Sequence, residues 1–242
     1  FFFHPPPATP DSSTSRGLGD VYKRQTLPKE AMAKLFNAVP ANDLPILPNY
    51  NVCPTDKIHS VVSHDAVRHI KAMRWGFLPH WYRSQTGGPL LINARSETID
   101  KKPAFREACR YRRCIIPADG FYEWARKDRH KPIPYRVTMS DGGFMAMAGI
   151  WQNWEIDGMS VTSCAIITTQ ANAKMAKIHH RLPVILRPED WPLWLGEAGK
   201  GAAKLMQPVS NEVLKLQRVD DAVNSNLATG AQLWAKIKTK TE

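Results

Sequence analysis

The sequence predicts an α+β fold: a single domain with a barrel-like antiparallel β core and flanking helices. Three observations lead there. Short runs rich in β-branched and aromatic residues recur along the chain, each bounded by turn residues. Only a few stretches show helical spacing. No internal repeat and no linker-like composition divides the chain.

The elements follow in order. Residues 28–39, PKEAMAKLFNAV, set Ala31, Leu35 and Phe36 at helical spacing, with Pro28 suited to a first turn. The Pro- and Asn-rich stretch LPILPNYNVCPT, 44–55, reads as a loop. Strands are expected at IHSVVS (58–63), HIKAMRW (69–75), RRCIIPA (112–118) and GFYEW (120–124). IPYRVTM (133–139), FMAMAGIW (144–151), VTSCAIITT (161–169) and LPVIL (182–186) complete the set. Helical patches lie between them at KPAFREACRYR (102–112), NAKMAKI (172–178) and PEDWPLWLG (188–196), and the tail 198–241 is polar and Lys-rich.

The leader fits none of this. Ser15–Gln25, SRGLGDVYKRQ, matches in one reading frame the translation of a transposon-based sequencing-library adaptor. On that reading residues 1–25 are a foreign leader that packs on nothing, since its composition offers little apolar area against ordering entropy. The domain then spans 26–236, with 237–242 as a C-terminal tail.

Composition narrows the function. The formal net charge is +11, an excess that favours polyanionic partners through phosphate contacts. No apolar run approaches the roughly 20 residues that span a bilayer, so no membrane role is expected. Phe1–Phe3 are too few for a signal core, and a cytoplasmic location follows. The four cysteines, Cys53, Cys109, Cys114 and Cys164, form no CxxC pair and read as reduced, mostly buried thiols. No metal or cofactor is expected, and the chain reads as a monomer.

Four stretches could carry chemistry. LLINARSET puts Asn93, Arg95 and Glu97 on one face if it is a strand. ADGFYEW sets Glu123 between Tyr122 and Trp124, and a carboxylate buried among aromatics needs a partner. KIHHRLPVIL brings His179, His180 and Arg181 to the edge of an apolar strand, and RWGFLPHWY places Trp75, Trp81 and Tyr82 around glycine and proline. Taken singly, each has a bland reading: a solvated strand face, an ion-paired glutamate, a capping histidine. Aromatics in a basic chain can also stack on unpaired bases.

The segments NYNVCPT, RWGFLPHW, INARSET, RRCIIPADGFYEW, IITTQAN and IHHRLPVIL occur in that order. Together they resemble the SOS response-associated peptidase (SRAP) family, the abasic site processing proteins, over about residues 26–236. The resemblance implies covalent capture of abasic sites in single-stranded DNA during DNA-damage responses. Family members begin Met-Cys-Gly-Arg, and autoproteolytic removal of Met exposes a cysteine. Its amine forms a Schiff base with the sugar aldehyde, and its thiol closes a thiazolidine. An α-amine with a pKa of ~7.7–8.0 keeps a nucleophilic fraction at neutral pH.

By motif matching, the resemblance implies that Asn93 orients the reacting groups, that Glu123 is the general acid/base and that His179 assists ring opening. It implies phosphate contacts from Arg95 and Arg181, and wedging or stacking by Pro54, Trp81 and Tyr82. Three departures stand out. No cysteine precedes Cys53, so Met-Cys-Gly-Arg is expected 5–12 codons ahead of Thr26 in the natural gene, and this chain is expected not to crosslink. Cys53 stands where members usually have Ala. A late Pro-Val-Ser…Val-Asn motif reads Arg218-Val219-Asp220…Val223-Asn224. Two other classes stay open: a non-catalytic single-stranded DNA binding module, and a cysteine hydrolase pairing Cys114 or Cys164 with His179.

Overall fold

The computed structural model describes residues 23–46, 48–125, 132–225 and 227–236. In chain order the elements are β1 (Lys23–Gln25), α1 (Lys29–Phe36), β2 (Ala38–Pro40), β3 (Asn49–Val52), β4 (Lys57–His64), β5 (Val67–Trp75) and β6 (Asn93–Arg95). There follow α2 (Pro103–Tyr111), β7 (Arg113–Ala118), β8 (Gly120–Ala125), β9 (Ile133–Met139), β10 (Met145–Ile156), β11 (Met159–Gln170), β12 (Arg181–Pro183), α3 (Trp191–Leu195) and β13 (Leu214–Arg218).

The strands form two sheets. The larger runs β12-β11-β10-β7-β4-β5-β2, and a further pairing of β11 with β5 bends it back on itself into a barrel. That closure is parallel, through Ser163 with Arg74 and Cys164 with Trp75. The β6–β11 and β2–β5 pairings are parallel too, so the expected antiparallel barrel is in fact mixed. The second sheet runs β13-β9-β8-β1-β3. The chain passes from one sheet to the other between β7 and β8, at Asp119.

The continuous apolar runs have a physical cause. Cys114, Ile115 and Ile116 are consecutive and all fully buried, because the barrel wall is covered on both faces. Ile115, Val61, Ile70 and Ile150 share a core with Phe36 of α1, Phe105 of α2 and Trp194 of α3. Cys114, Ile116, Ile58 and Met147 share the other with Phe121, Val137 and Leu214 of the second sheet. Gly120, where β8 begins, has no room for a side chain: a Cβ there would lie 2.3 Å from the Val137 carbonyl oxygen.

Most predicted elements appear within a few residues of their expected bounds. In α1 the buried residues are Met32 and Phe36, while Leu35 is exposed. The helix ends at Asn37, in the left-handed conformation, and Val39 enters β2 instead. NAKMAKI holds only a 3-10 turn, Met175–Lys177. The loop at 44–55 contains β3, and the polar tail contains β13.

The leader needs a correction at its end. Lys23–Gln25 form the middle of a sheet, with Lys23 opposite both Phe121 of β8 and Val52 of β3. Gln25 is buried. Its amide donates to the carbonyls of Pro117 (2.7 Å) and His59 (3.2 Å), and its carbonyl accepts from the His59 N–H at 3.2 Å. Backbone pairing on both sides and a fully satisfied amide offset the ordering cost that apolar burial was not expected to meet. Residues 1–22 and 237–242 lie outside the described residues.

Candidate functional site

Glu123 sits on β8, whose six residues are all buried. His179 lies in the turn that leads into β12, on the other sheet. The fold joins them across the sheet junction: His179 Nδ1 is 3.6 Å from Glu123 Oε2, with both side chains largely buried. Glu123 Oε1 also accepts the Trp124 N–H at 3.1 Å. His179 Nδ1 faces the Arg181 N–H at 3.1 Å and the Arg181 carbonyl at 3.3 Å. A bare Nδ1 accepts the N–H; a protonated one faces the carbonyl and the carboxylate. Which of these holds depends on the tautomer of the ring as well as on its charge.

The surroundings hold β8 in register. Trp124 Nε1 donates to Asn224 Oδ1 at 2.6 Å. Val219 and Val223 are fully buried with Tyr122 and Trp124, so the departing Arg218–Asn224 segment still packs under the site. Arg24 of β1 lies between two rings, 4.8 Å from the centroids of Tyr50 and Trp234, and pairs with Asp119 at 3.5 Å. Trp234 in turn meets Tyr122 edge-on at 5.2 Å. None of Arg24, Asn224 or Trp234 belongs to the expected site. Arg24 was hidden by its place in the leader and Trp234 by a tail that reads as plain polar sequence, while Asn224 stood out only as part of the departing late motif.

Arg181 requires a correction. It is buried, and its guanidinium is engaged rather than free for phosphates. Nη1 and Nη2 grip the Glu97 carboxylate at 2.7 and 2.9 Å, and Nη2 also donates to the Thr168 carbonyl at 2.7 Å. A guanidinium this deep needs a counter-charge, and Glu97 matches its planar fork. The hydrogen bonds from Arg181 hold the Glu97 carboxyl below the usual carboxylate range. Arg181 thus positions the backbone that carries His179.

Asn93 and Arg95 arrive on β6, opposite Ile166 and Thr168 of β11. Thr168 is the residue that Arg181 bonds, so β6 lies beside the Arg181–Glu97 pair. Asn93 Nδ2 is buried and has no partner among the described residues. Arg95 is exposed, available to an anion.

Pro54 lies in the turn between β3 and β4, next to Cys53, which packs against the cluster of Tyr122 and Trp124. It lines a cleft of about 590 Å³ with Tyr50, Asn51 and residues 228–230. Thr55 follows it at φ 79°, a left-handed conformation that a β-branched residue rarely adopts. Hydrogen bonds over-determine the turn: Cys53 N–H to Asp56 Oδ2 at 2.9 Å, Asp56 N–H to the Cys53 carbonyl at 3.1 Å, and Thr55 N–H to the Trp75 carbonyl at 2.7 Å. Trp81 is 46% exposed and free to stack. Tyr82 is not: it is buried with Leu78 and Trp154, its hydroxyl donates to the Pro89 carbonyl, and burial raises its pKa. Its expected stacking role is withdrawn, because in RWGFLPHWY the second of two adjacent aromatics turns into the core.

The hydrolase pairing also fails. Cys114 and Cys164 have no exposed surface, and burial drives the Cys114 thiol well above its ordinary value, so neither presents a thiolate to solvent. Among the described residues, no group of His, Cys, Asp and Glu is arranged to hold a metal ion, and no helix is long and apolar enough to cross a membrane.

Comparison with known proteins gives the chain its relatives. An abasic site processing protein of Bacillus subtilis, YoqW, is 37% identical over 182 residues, covering 74% of this chain and 81% of the relative. YedK of Escherichia coli, named likewise, is 32% identical over 158 residues, 64% of this chain and 69% of its own length. A crystal structure of a protein from Bacteroides thetaiotaomicron superposes with a TM-score of 0.78 at 26% identity, covering 89% of this chain and 98% of that one. The model of the family described as SOS response associated peptidase (SRAP) matches residues 22–226, nearly the whole described chain, and the protein belongs to that family.

Proposed function

We propose that this protein acts on abasic sites in single-stranded DNA, with Glu123 and His179 moving protons while an N-terminal cysteine captures the ring-opened sugar. The amine adds to the C1′ aldehyde and loses one water to give an imine. The thiol then adds across that imine to close a thiazolidine, with no oxidant or cofactor needed. The observation that carries the reading is the buried Glu123–His179 contact of 3.6 Å, a proton-transfer pair assembled from two sheets. Asn93, with its unpartnered amide, and Arg95, exposed on the same strand, are proposed to hold the sugar and a phosphate. The relatives' names, and the basic charge of +11, support the DNA substrate.

The sequence has no cysteine ahead of Cys53. A thiazolidine needs amine and thiol on adjacent carbons, which Cys53 inside the chain does not supply. A single-stranded DNA binding module without chemistry is the second reading, favoured by the net charge of +11.

Lys23 pairs with Phe121, two residues from Glu123 along β8, which sets the register for the test. Residues 1–23 are replaced by Met-Cys-Gly, so that Arg24 completes Met-Cys-Gly-Arg. Both chains are incubated with a single-stranded oligonucleotide carrying one abasic site and resolved on a denaturing gel. The restored chain should give a heat-stable adduct, slowed about 100-fold or more by Glu123→Gln or His179→Ala. A heat-stable adduct from the unrestored chain, or variants that react at the full rate, would overturn the mechanism. Salt-sensitive binding with no adduct from the restored chain would favour the binding module.

A further inference from the structure

The most basic stretch of the described surface lies away from Glu123 and His179. Residues 100–113, DKKPAFREACRYRR, hold six Lys or Arg and two acids. Along α2, Lys102, Arg106 and Arg110 recur every four residues and are all exposed, forming one stripe. Glu107, the single acid on the helix, is bound by Arg112 at 2.8 Å and does not neutralise them. Tyr111, next to the stripe, is 75% exposed, a large aromatic surface with nothing covering it.

The helix borders a cleft of about 930 Å³, lined by Lys101, Arg110, Tyr111 and Lys200. Glu97 also lines the cleft, its charge already balanced by Arg181.

We propose that α2 and this cleft bind the phosphate backbone of single-stranded nucleic acid, with Tyr111 stacking on an unpaired base. The stripe spans about 12 Å, from eight residues at 1.5 Å each. Cations in a row with an aromatic plane beside them are the elements of a sequence-independent single-strand groove. The partner class rests on the reading above. The contact surface is new and has its own test.

Undamaged single-stranded 20-mer is titrated into the full chain between 50 and 200 mM salt, followed by fluorescence anisotropy. Lys102→Gln/Arg106→Gln/Arg110→Gln should flatten the log–log salt slope by about 2. Across that fourfold range of salt the variant then loses roughly 20-fold less affinity than the parent. Lys57→Gln/Lys71→Gln/Lys215→Gln removes the same charge from exposed positions on other strands and should leave the slope nearly unchanged. Tyr111→Ala should weaken binding about tenfold without altering the slope. Equal slopes for the two triple variants, or a parental slope for the α2 variant, would overturn the proposal. Because the DNA is undamaged, that outcome is independent of whether the restored chain forms an adduct.

Discussion

His59 makes the stability of this fold depend on pH in a way that can be worked out in advance. It sits on β4, 1% exposed, and its Nδ1 has no partner among the described residues. Burial lowers its pKa from 6.5 to about 4. The folded state therefore resists a proton that the unfolded state takes up below pH 6.5. Stability is complete above that value and falls as the pH drops towards 4. At about 1.4 kcal/mol per pH unit, a gap of some 2.5 units costs about 3 kcal/mol across the window, a large part of a typical 5–15 kcal/mol. Urea unfolding at pH 7, 6, 5 and 4.5 measures it. His59→Phe keeps a planar ring and removes the titration, so subtracting the two curves cancels every other group. The difference should grow by roughly 1–1.4 kcal/mol per unit below pH 6. Parallel curves would show that the imidazole finds a proton acceptor, or water, in the folded state.

Three further outcomes follow from single contacts. Gln25→Ala leaves the Pro117 carbonyl and the His59 peptide group without their side-chain partner. It should cost about 3 kcal/mol, or a fall in Tm of roughly 6–12 °C by calorimetry, and an unchanged Tm would mean that β1 contributes nothing. Asn224→Ala removes the acceptor of the Trp124 indole and should lower stability by about 1–2 kcal/mol in urea, where no change would mean that water replaces the amide at no cost. In native protein a thiol reagent should modify Cys53 first, then Cys109 slowly because burial raises its pKa, and reach Cys114 and Cys164 only after denaturation; early modification of Cys114 would contradict the closed barrel.

The strands were legible because the barrel wall is buried on both faces. That turns RRCIIPA and VTSCAIITT into unbroken apolar runs with turn residues at their ends. The barrel itself was legible, but its parallel closure was not: the Ser163–Arg74 and Cys164–Trp75 pairing joins residues about 90 positions apart, with no local pattern to announce it. β1, β3 and β13 escaped notice because each is short. KRQ has no apolar residue, and the alternations Tyr50/Val52 and Leu214/Leu216 are only two apolar residues long, set in Asn-, Pro- and Lys-rich sequence. At the site, Glu123 and His179 stood out as polar residues among apolar or aromatic neighbours. Whether a basic side chain is free depends on partners far away in sequence. That is why Arg181, held by a glutamate 84 residues earlier, read as a phosphate clamp.

The position of the Glu123–His179 pair at the junction of the sheets has a consequence for how the site is maintained. Each residue belongs to a different sheet, so their separation depends on how the sheets dock. Phe121, Val137 and Leu214 share an apolar core with the barrel, and polar contacts around β1 add to it. Gln25 binds the backbones of β4 and β7 in the barrel from its place in the second sheet, and Arg24 ties Tyr50, Trp234 and Asp119 together beside β8. A strand of three residues thus acts as a wedge between two layers. The polar bonds that hold it are short-ranged and directional, so they fix its register more sharply than apolar contact would. The separation of Glu123 and His179 and the stability of the fold therefore both depend on β1, and a change there would disturb the two together.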